Sequence, residues 1–169
     1  MKQTDNFKFD EANVMNELVY RNLSEDAKRQ ICAWKYGGEY DLYNLPSYEE
    51  MQVRQIGFMN PKSEKNYYSF WDESILVGFV NILEEKEEIF IGIGVNPDLC
   101  NKHYGQRMLL ITYEISKKLY PDKPLYLEVR TWNIRAVKCY QKAGFRIDGQ
   151  AYELTTGIGT GTFYRMIRE

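Results

Sequence analysis

The sequence predicts a mixed α/β (α+β) domain in which helices interrupt a mostly antiparallel sheet, and three observations carry that expectation. Three β-rich runs follow one another at residues 67–71, 75–83 and 89–95, separated only by short polar turns. Met108, Leu109, Thr112, Ser116 and Leu119 then recur at helical spacing before a fresh strand at 125–130, so one parallel pair must occur across that helix. Apolar residues make up 44% of the 169 and charged ones 27%, with 14 Tyr, 8 Phe and 3 Trp, a composition suited to one closed core and foreign to a disordered chain.

Residues 1–16 are rich in Asp, Asn and Lys, offer few apolar anchors and read as an extension preceding a single domain over 17–169. Leu18, Val19 and Tyr20 form a short strand. Ser24 follows as a helix N-cap, with Glu25 and Asp26 placed to favour the positive end of the helix dipole, and this helix runs to about residue 33. Trp34, Tyr36, Tyr40 and Tyr43, beside Gly37 and Gly38, suit a stiff surface loop. After Pro46, Ser47 and Glu50 fit a capping box, and the helix they open should fail between Gly57 and Pro61. Beyond the three strands, Asn96, Pro97 and Asp98 break the chain, and Tyr120 and Pro121 end the helix that follows. A last helix over 134–143 stops at Gly144, where a residue without a Cβ takes the left-handed cap. Strands near 145–154 and 162–167 complete a sheet of about seven strands with about four helices.

Several function classes are disfavoured. The chain carries 22 basic and 24 acidic side chains, a formal charge of −2, and has no Lys/Arg run fit to grip a nucleic-acid backbone, so no nucleic-acid partner is expected. The first ten residues lack the apolar core of a signal peptide, and the best apolar run, 75–83, falls short of the ~20 residues that span a bilayer. A cytoplasmic protein with no membrane partner is expected. Cys32, Cys100 and Cys139 are odd in number and widely spaced, which suggests three reduced thiols and no zinc site. His103 is the only histidine, which argues against a metal centre and against a Ser–His triad. Gly157, Gly159 and Gly161 form a G-x-G-x-G string with no Lys-Ser/Thr after it, and read as a hairpin turn.

The chemistry is concentrated in two segments. The first, V-N-P-D-L-C-N-K-H-Y-G-Q-R-M-L-L from Val95, is a strand end, a polar turn and a helix start, an arrangement whose free N–H groups and dipole can receive a diphosphate. Many such units bind nothing. The second, over residues 125–145, places Asn133, Ala136, Tyr140, Gly144 and Phe145 at N-x-x-A-x-x-x-Y-x-x-x-G-F spacing after an L-x-V strand. This signature resembles the GNAT superfamily of N-acetyltransferases, and the order of predicted elements is similar to that family's from Leu18 onward. The family's phosphate turn reads [QR]-x-x-G-x-[GA]; its three defined positions fall on Cys100, His103 and Gly105, of which only Gly105 matches.

The resemblance implies a GNAT-like sheet and acetyl-CoA as co-substrate, with no metal. Because the family contacts phosphate chiefly through backbone N–H groups, Asn101, Lys102, His103, Tyr104, Gly105 and Gln106 are the expected cofactor contacts. His103 would store roughly 1–3 kcal/mol of strain if its slot requires positive φ. Ile93, Gly94 and Val95 would pair with pantetheine amides like an added strand edge, with Gly92 and Gly94 allowing close backbone approach. Asn133 would cap the last helix and touch the pantetheine arm.

An amine with a pKa near 10 must lose a proton before it attacks a thioester, so direct transfer needs a carboxylate within reach. Glu128 lies between Leu127 and Val129 and points to the face opposite them, where a solvated glutamate is the plain alternative. The run L-Y-L-E-V-R-T-W-N is similar to that of bacterial enzymes acetylating the N-terminal alanine of a ribosomal protein, in which a Glu at this position is regarded as the general base. Tyr140 stands at the family's Tyr position and would protonate the departing thiolate; otherwise it is a buried aromatic on the Ala136 face. The loop holding Trp34, Lys35, Tyr36, Tyr40 and Tyr43 either walls an acceptor pocket, by burial and cation–π contact, or plugs the sheet. The acceptor is thus a small-molecule or peptide amine of open identity, and a homodimer is compatible with the sequence. A non-catalytic acetyl-CoA-sensing or protein-binding module is the rival, favoured by the degenerate turn and opposed by Glu128 and Tyr140.

Overall fold

Local capping decides where the helices begin. In the computed structural model, which describes residues 18–169, Ser24 Oγ accepts from the Ala27 N–H at 3.2 Å and opens α1 (Glu25–Ala33), while Ser47 Oγ accepts from the Glu50 N–H at 3.1 Å and opens α2 (Tyr48–Arg54). The extension expected over 1–16 lies outside the described residues. α2 ends earlier than glycine placement suggests, because Gln55 itself takes the left-handed turn (φ 50°), two residues before Gly57. The aromatic loop is more regular than a loop, with a 3₁₀ helix over Gly38–Tyr43. Among the described residues the two remaining α-helices are α3 (Tyr104–Leu119) and α4 (Ile134–Lys142), the latter ending before Gly144 at φ +90°.

Among the described residues eight strands form one sheet: β1 (Leu18–Asn22), β2 (Tyr67–Asp72), β3 (Ile75–Glu84), β4 (Ile89–Val95), β5 (Leu125–Arg130), β6 (Arg146–Ile147), β7 (Tyr152–Thr156) and β8 (Gly159–Arg168). Their order is β1-β2-β3-β4-β5-β8-β6, with β7 also on β8, and every neighbouring pair is antiparallel except β4 with β5. The count exceeds seven because the run near 145–154 divides: Gly149 at φ +76° turns the chain between β6 and β7, and both fragments pair with β8. Thr156 opposite Gly159 closes β7 onto β8 through Gly157 and Ile158, so the glycine string is a hairpin turn.

Alternation along the strands builds two cores. On one face Met108, Leu109, Ile111 and Ile115 of α3 and Val137 of α4 pack on Val80, Ile91, Leu127 and Val129. On the other, Ala27 and Ile31 of α1 and Met51 of α2 meet Phe58, Trp71 and Leu76. Leu127 is buried in the first core, and its truncation to Ala would cost about 2–5 kcal/mol. Among the described residues no helix is long and apolar enough to cross a membrane.

One irregularity positions the site. The parallel pair holds only at Ile89 with Leu125 and Phe90 with Tyr126. Past those residues β4 and β5 diverge, so the sheet is split between its two halves at the C-terminal ends of these strands.

Candidate active site

The split opens a cleft of about 480 Å³ between β4 and β5. On its first wall Ile93, Gly94 and Val95 of β4 have backbone partners on β3 but none on β5, and the wall continues through Leu99 and Cys100 to the start of α3. Two residues of the turn take left-handed angles, Asn101 at φ 63° and His103 at φ 66°. The His103 side chain makes no cap, so the first-turn N–H groups of α3 have no side-chain acceptor, and with left-handed residues beside them they form a concavity suited to an anion. Gly105 is needed for packing: a Cβ there would lie 3.0 Å from Cys139 Sγ and 3.5 Å from Val95 Cγ2.

The second wall is β5 and α4. Glu128 and Arg130 project from β5, and Asn133, 7% exposed, caps α4 by accepting from the Ala136 N–H at 3.1 Å. Asn133 Nδ2 also donates to the Tyr43 hydroxyl at 3.3 Å. That contact ties the aromatic loop to the wall, together with Tyr40 and Tyr43 packed on Trp132 at 5.7 and 6.1 Å and Arg135 stacked 4.0 Å from the Tyr40 ring centroid. Trp34 and Tyr36 close the cleft from the same side, and Tyr36 donates a hydrogen bond of 2.7 Å to the Val95 carbonyl. The loop therefore walls the cleft. A lining of one acid beside Arg130, Arg135, Lys138 and Lys142 suits a ligand rich in negative charge.

Residues 28–145, more than half of the chain, match the family model described as "Acetyltransferase (GNAT) family". The chain belongs to the GNAT acetyltransferase family.

No curated protein sequence matches it. Among solved structures, spermidine N-acetyltransferase from Vibrio cholerae in complex with CoA and spermine superposes with a TM-score of 0.71 at 18% identity, covering 90% of this chain and 95% of that one. A GNAT acetyltransferase from Streptococcus pneumoniae gives 0.64 at 24% identity, with 90% and 98% covered. AAC(6')-Ib in complex with paromomycin and acetyl-CoA gives 0.65 at 16% identity, with 88% and 92% covered. At these identities the likeness is one of fold.

Most of the residues expected from sequence converge on the cleft of this GNAT enzyme. Ile93, Gly94, Val95, Asn101, His103, Tyr104, Gly105, Gln106, Glu128, Asn133 and Tyr140 all line it. Lys102 does not; it is exposed on the turn beside them. Tyr104 points its hydroxyl away to Asp72, at 2.5 Å, so only its backbone faces the anion concavity. Of the two glycines of β4, the fold itself requires only Gly94 to lack a side chain. A Cβ on Gly94 would strike the Phe79 ring at 2.4 Å, whereas one on Gly92 would make ordinary contact with Asn81 at 3.5 Å.

Two features of the second wall bear on proton transfer. Tyr152 of β7 donates to Glu128 Oε2 from across β8, fixing one carboxylate oxygen and leaving Oε1 without a hydrogen bond among the described residues. The Tyr140 phenol makes no hydrogen bond among the described residues, and burial, with Cys139, Tyr43 and Tyr36 adding to it, pushes its pKa well above the ordinary tyrosine value. It therefore holds its proton throughout the physiological range. Cys139, beside it on α4, has its thiol pushed up to about 11 by burial. Tyr152, Trp132 and Arg130 were not singled out by sequence reasoning. Arg130 and Tyr152 share the sheet face that carries Glu128, which becomes visible only once β8 and β7 are known to lie next to β5, and Trp132 lies in the turn that follows β5.

Proposed function

We propose that the enzyme transfers an acetyl group from acetyl-CoA to a primary amine by direct attack, with Glu128 as general base and Tyr140 as general acid. The observation that carries this reading is the placement of both groups in one cleft, beside an open strand edge and an unoccluded helix N-terminus. Bound acetyl-CoA supplies an activated acyl carbon and a thiol leaving group.

The chain's own groups account for the rest. The edge at Ile93, Gly94 and Val95, unpaired with β5, offers main-chain groups to an extended amide-bearing arm, with the Val95 carbonyl already accepting from Tyr36. The turn over 101–106 and the start of α3 offer N–H groups to the diphosphate, with Lys138 and Lys142 of α4 across from them. Lys102 would contribute its N–H only. Asn133 holds the start of α4 against Tyr43 and faces the same arm.

Glu128 Oε1 takes the proton that the ammonium must lose, while Tyr152 holds the carboxylate in place through Oε2. A C–N bond forms as the C–S bond breaks, the Tyr140 hydroxyl gives its proton to the departing sulfur, and the second proton shed by the nitrogen as it becomes an amide restores the phenol. The test is thiol release from acetyl-CoA over an amine panel, read beside thermal protection by coenzyme A. Release that depends on the amine, with a rise in Tm on adding coenzyme A, is the expected result. The absence of both thiol release and thermal protection at millimolar ligand would overturn the reading.

A further inference from the structure

The last glycine of the G-x-G-x-G hairpin exists for one side chain. A Cβ on Gly161 would lie 2.0 Å from Arg130 Nη1, so the hairpin is cut away where the guanidinium rests. Arg130 is only 7% exposed. Its Nη1 and Nη2 reach the carbonyls of Thr160 and Gly159 at 3.5 and 3.4 Å, long for charge-assisted bonds, and its Nε is buried with no partner. The Phe163 ring centroid lies 5.0 Å from it, and no carboxylate among the described residues pairs with it.

Arg165, two residues further along β8 from Phe163, shows what a satisfied arginine looks like in the same sheet. It forms a fork to Glu88 at 2.7 and 2.8 Å and a third bond to Asp148 at 3.1 Å. A guanidinium stays charged at every physiological pH, so Arg130 is a buried cation lacking the anion that such a group requires.

The rest of the lining points the same way. Glu128 is the only acidic side chain lining the cleft among the described residues. Lys138 and Lys142 face the start of α3, where Gln106 Nε2 meets the Lys142 carbonyl at 3.4 Å, and a diphosphate there would account for them. Arg130 stands apart from that end, on the Glu128 face of β5.

We infer that Arg130 receives a carboxylate of the acetyl acceptor, so that the enzyme acetylates amines bearing an anionic group rather than polycationic amines. The inference rests on the acetyl-transfer reading above. Glu128 and Arg130 are two residues apart on one strand face, about 7 Å along the strand, and the guanidinium leans further toward the hairpin. The acceptor therefore separates its amine from its carboxylate by about that distance or more, as an ω-amino carboxylate or a short peptide does and glycine does not.

The test compares glycine, 6-aminohexanoate and triglycine, each with its own carboxamide, and spermidine, in the thiol-release assay. For 6-aminohexanoate and triglycine the carboxylate should exceed the carboxamide by roughly ten- to a hundredfold in kcat/KM, mainly through KM, as expected for hydrogen bonds to a charged group. Arg130→Met should bring that ratio to about one, and Arg130→Lys should keep part of it. A carboxamide or spermidine preferred by the unaltered enzyme, or a preference surviving Arg130→Met, would overturn the inference; the first comparison needs no variant to fold. Calorimetry of 6-aminohexanoate and its carboxamide on enzyme saturated with coenzyme A reads the same contact without turnover. Equal binding of the two counts against Arg130. Binding of the carboxylate alone, with no thiol release from any amine, would keep the role of Arg130 while removing the acetyl-transfer reading.

Discussion

On the β4 side of the cleft the groups proposed to hold the cofactor are main-chain amides, at residues 93–95 and at the start of α3, whereas the β5 side is proposed to act through side chains: Glu128, Arg130, Asn133 and Tyr140. The two walls therefore obey different rules. Amides survive a change of residue, so under the proposed reading Cys100 and His103, which depart from the family pattern, leave the first wall able to hold the cofactor. A side-chain wall has no such freedom, because each proton-transfer group must occupy one position within reach of the reacting atoms.

The sharpest way to break this contrast is to remove the proposed proton carriers. Glu128→Gln and Tyr140→Phe should each lower kcat by roughly 10²- to 10⁴-fold while leaving the KM for acetyl-CoA nearly unchanged, measured as thiol release in variants with native Tm. A loss smaller than about tenfold in either would remove that group from the reaction. On the opposite wall the most damaging change is one of volume. Gly105→Val would drive its branches into Cys139 Sγ, already 3.0 Å from a first carbon, and into Val95. Overpacking of this kind costs about 1–3 kcal/mol. The expected reading is a Tm lower by roughly 2–4 °C per kcal/mol together with a raised KM for acetyl-CoA and little change in kcat.

The same contrast explains which parts of the site were legible in the sequence. Asn133, Ala136 and Tyr140 share one helix and Glu128 one strand, so spacing alone puts them in register, and the structure brings them to the same cleft. Tyr152 is invisible to such reasoning. It reaches Glu128 because β8 lies between β5 and β7, with Phe163 opposite both Arg130 and Tyr152. The split of the 145–154 run was hidden for a related reason: Asp148, Gly149 and Gln150 make a turn only because both flanking fragments find β8. Gly94 was legible as a place needing no Cβ, but the neighbour requiring it is the Phe79 ring on the next strand. The cleft itself depends on where two parallel strands stop pairing, after Phe90 and Tyr126, and no residue type marks that point.

Alkaline pH sharpens the comparison at the aromatic groups that join the walls. Burial raises the phenol pKa of Tyr140 and of Tyr36, whose hydroxyl bonds the Val95 carbonyl. The folded state then holds these protons more tightly than the unfolded chain, where tyrosine titrates near 10. Their stabilising contribution is complete below about pH 10 and is lost as pH rises from there through the folded-state values. Tm measured in steps from neutral to strongly alkaline pH should fall more steeply above about pH 10, and less steeply in Tyr36→Phe and Tyr140→Phe. An unaltered slope in both variants would mean that the two phenols are not held by the fold.

The smallest expected effect tests the first wall most directly. His103 sits at φ 66° and ψ 6° with no side-chain cap, a left-handed position that glycine occupies without strain. His103→Gly trades that strain against the greater freedom of glycine in the unfolded chain, for a net gain of about 1 kcal/mol, or a Tm higher by roughly 2–4 °C. The kinetic outcome then separates amide from imidazole. If the N–H groups of the turn and of α3 seat the diphosphate, the KM for acetyl-CoA changes by less than about threefold, since glycine keeps the N–H and favours the same angle. A rise beyond about tenfold would show the imidazole itself on the phosphate and transfer His103 to the class of side chains that the opposite wall represents.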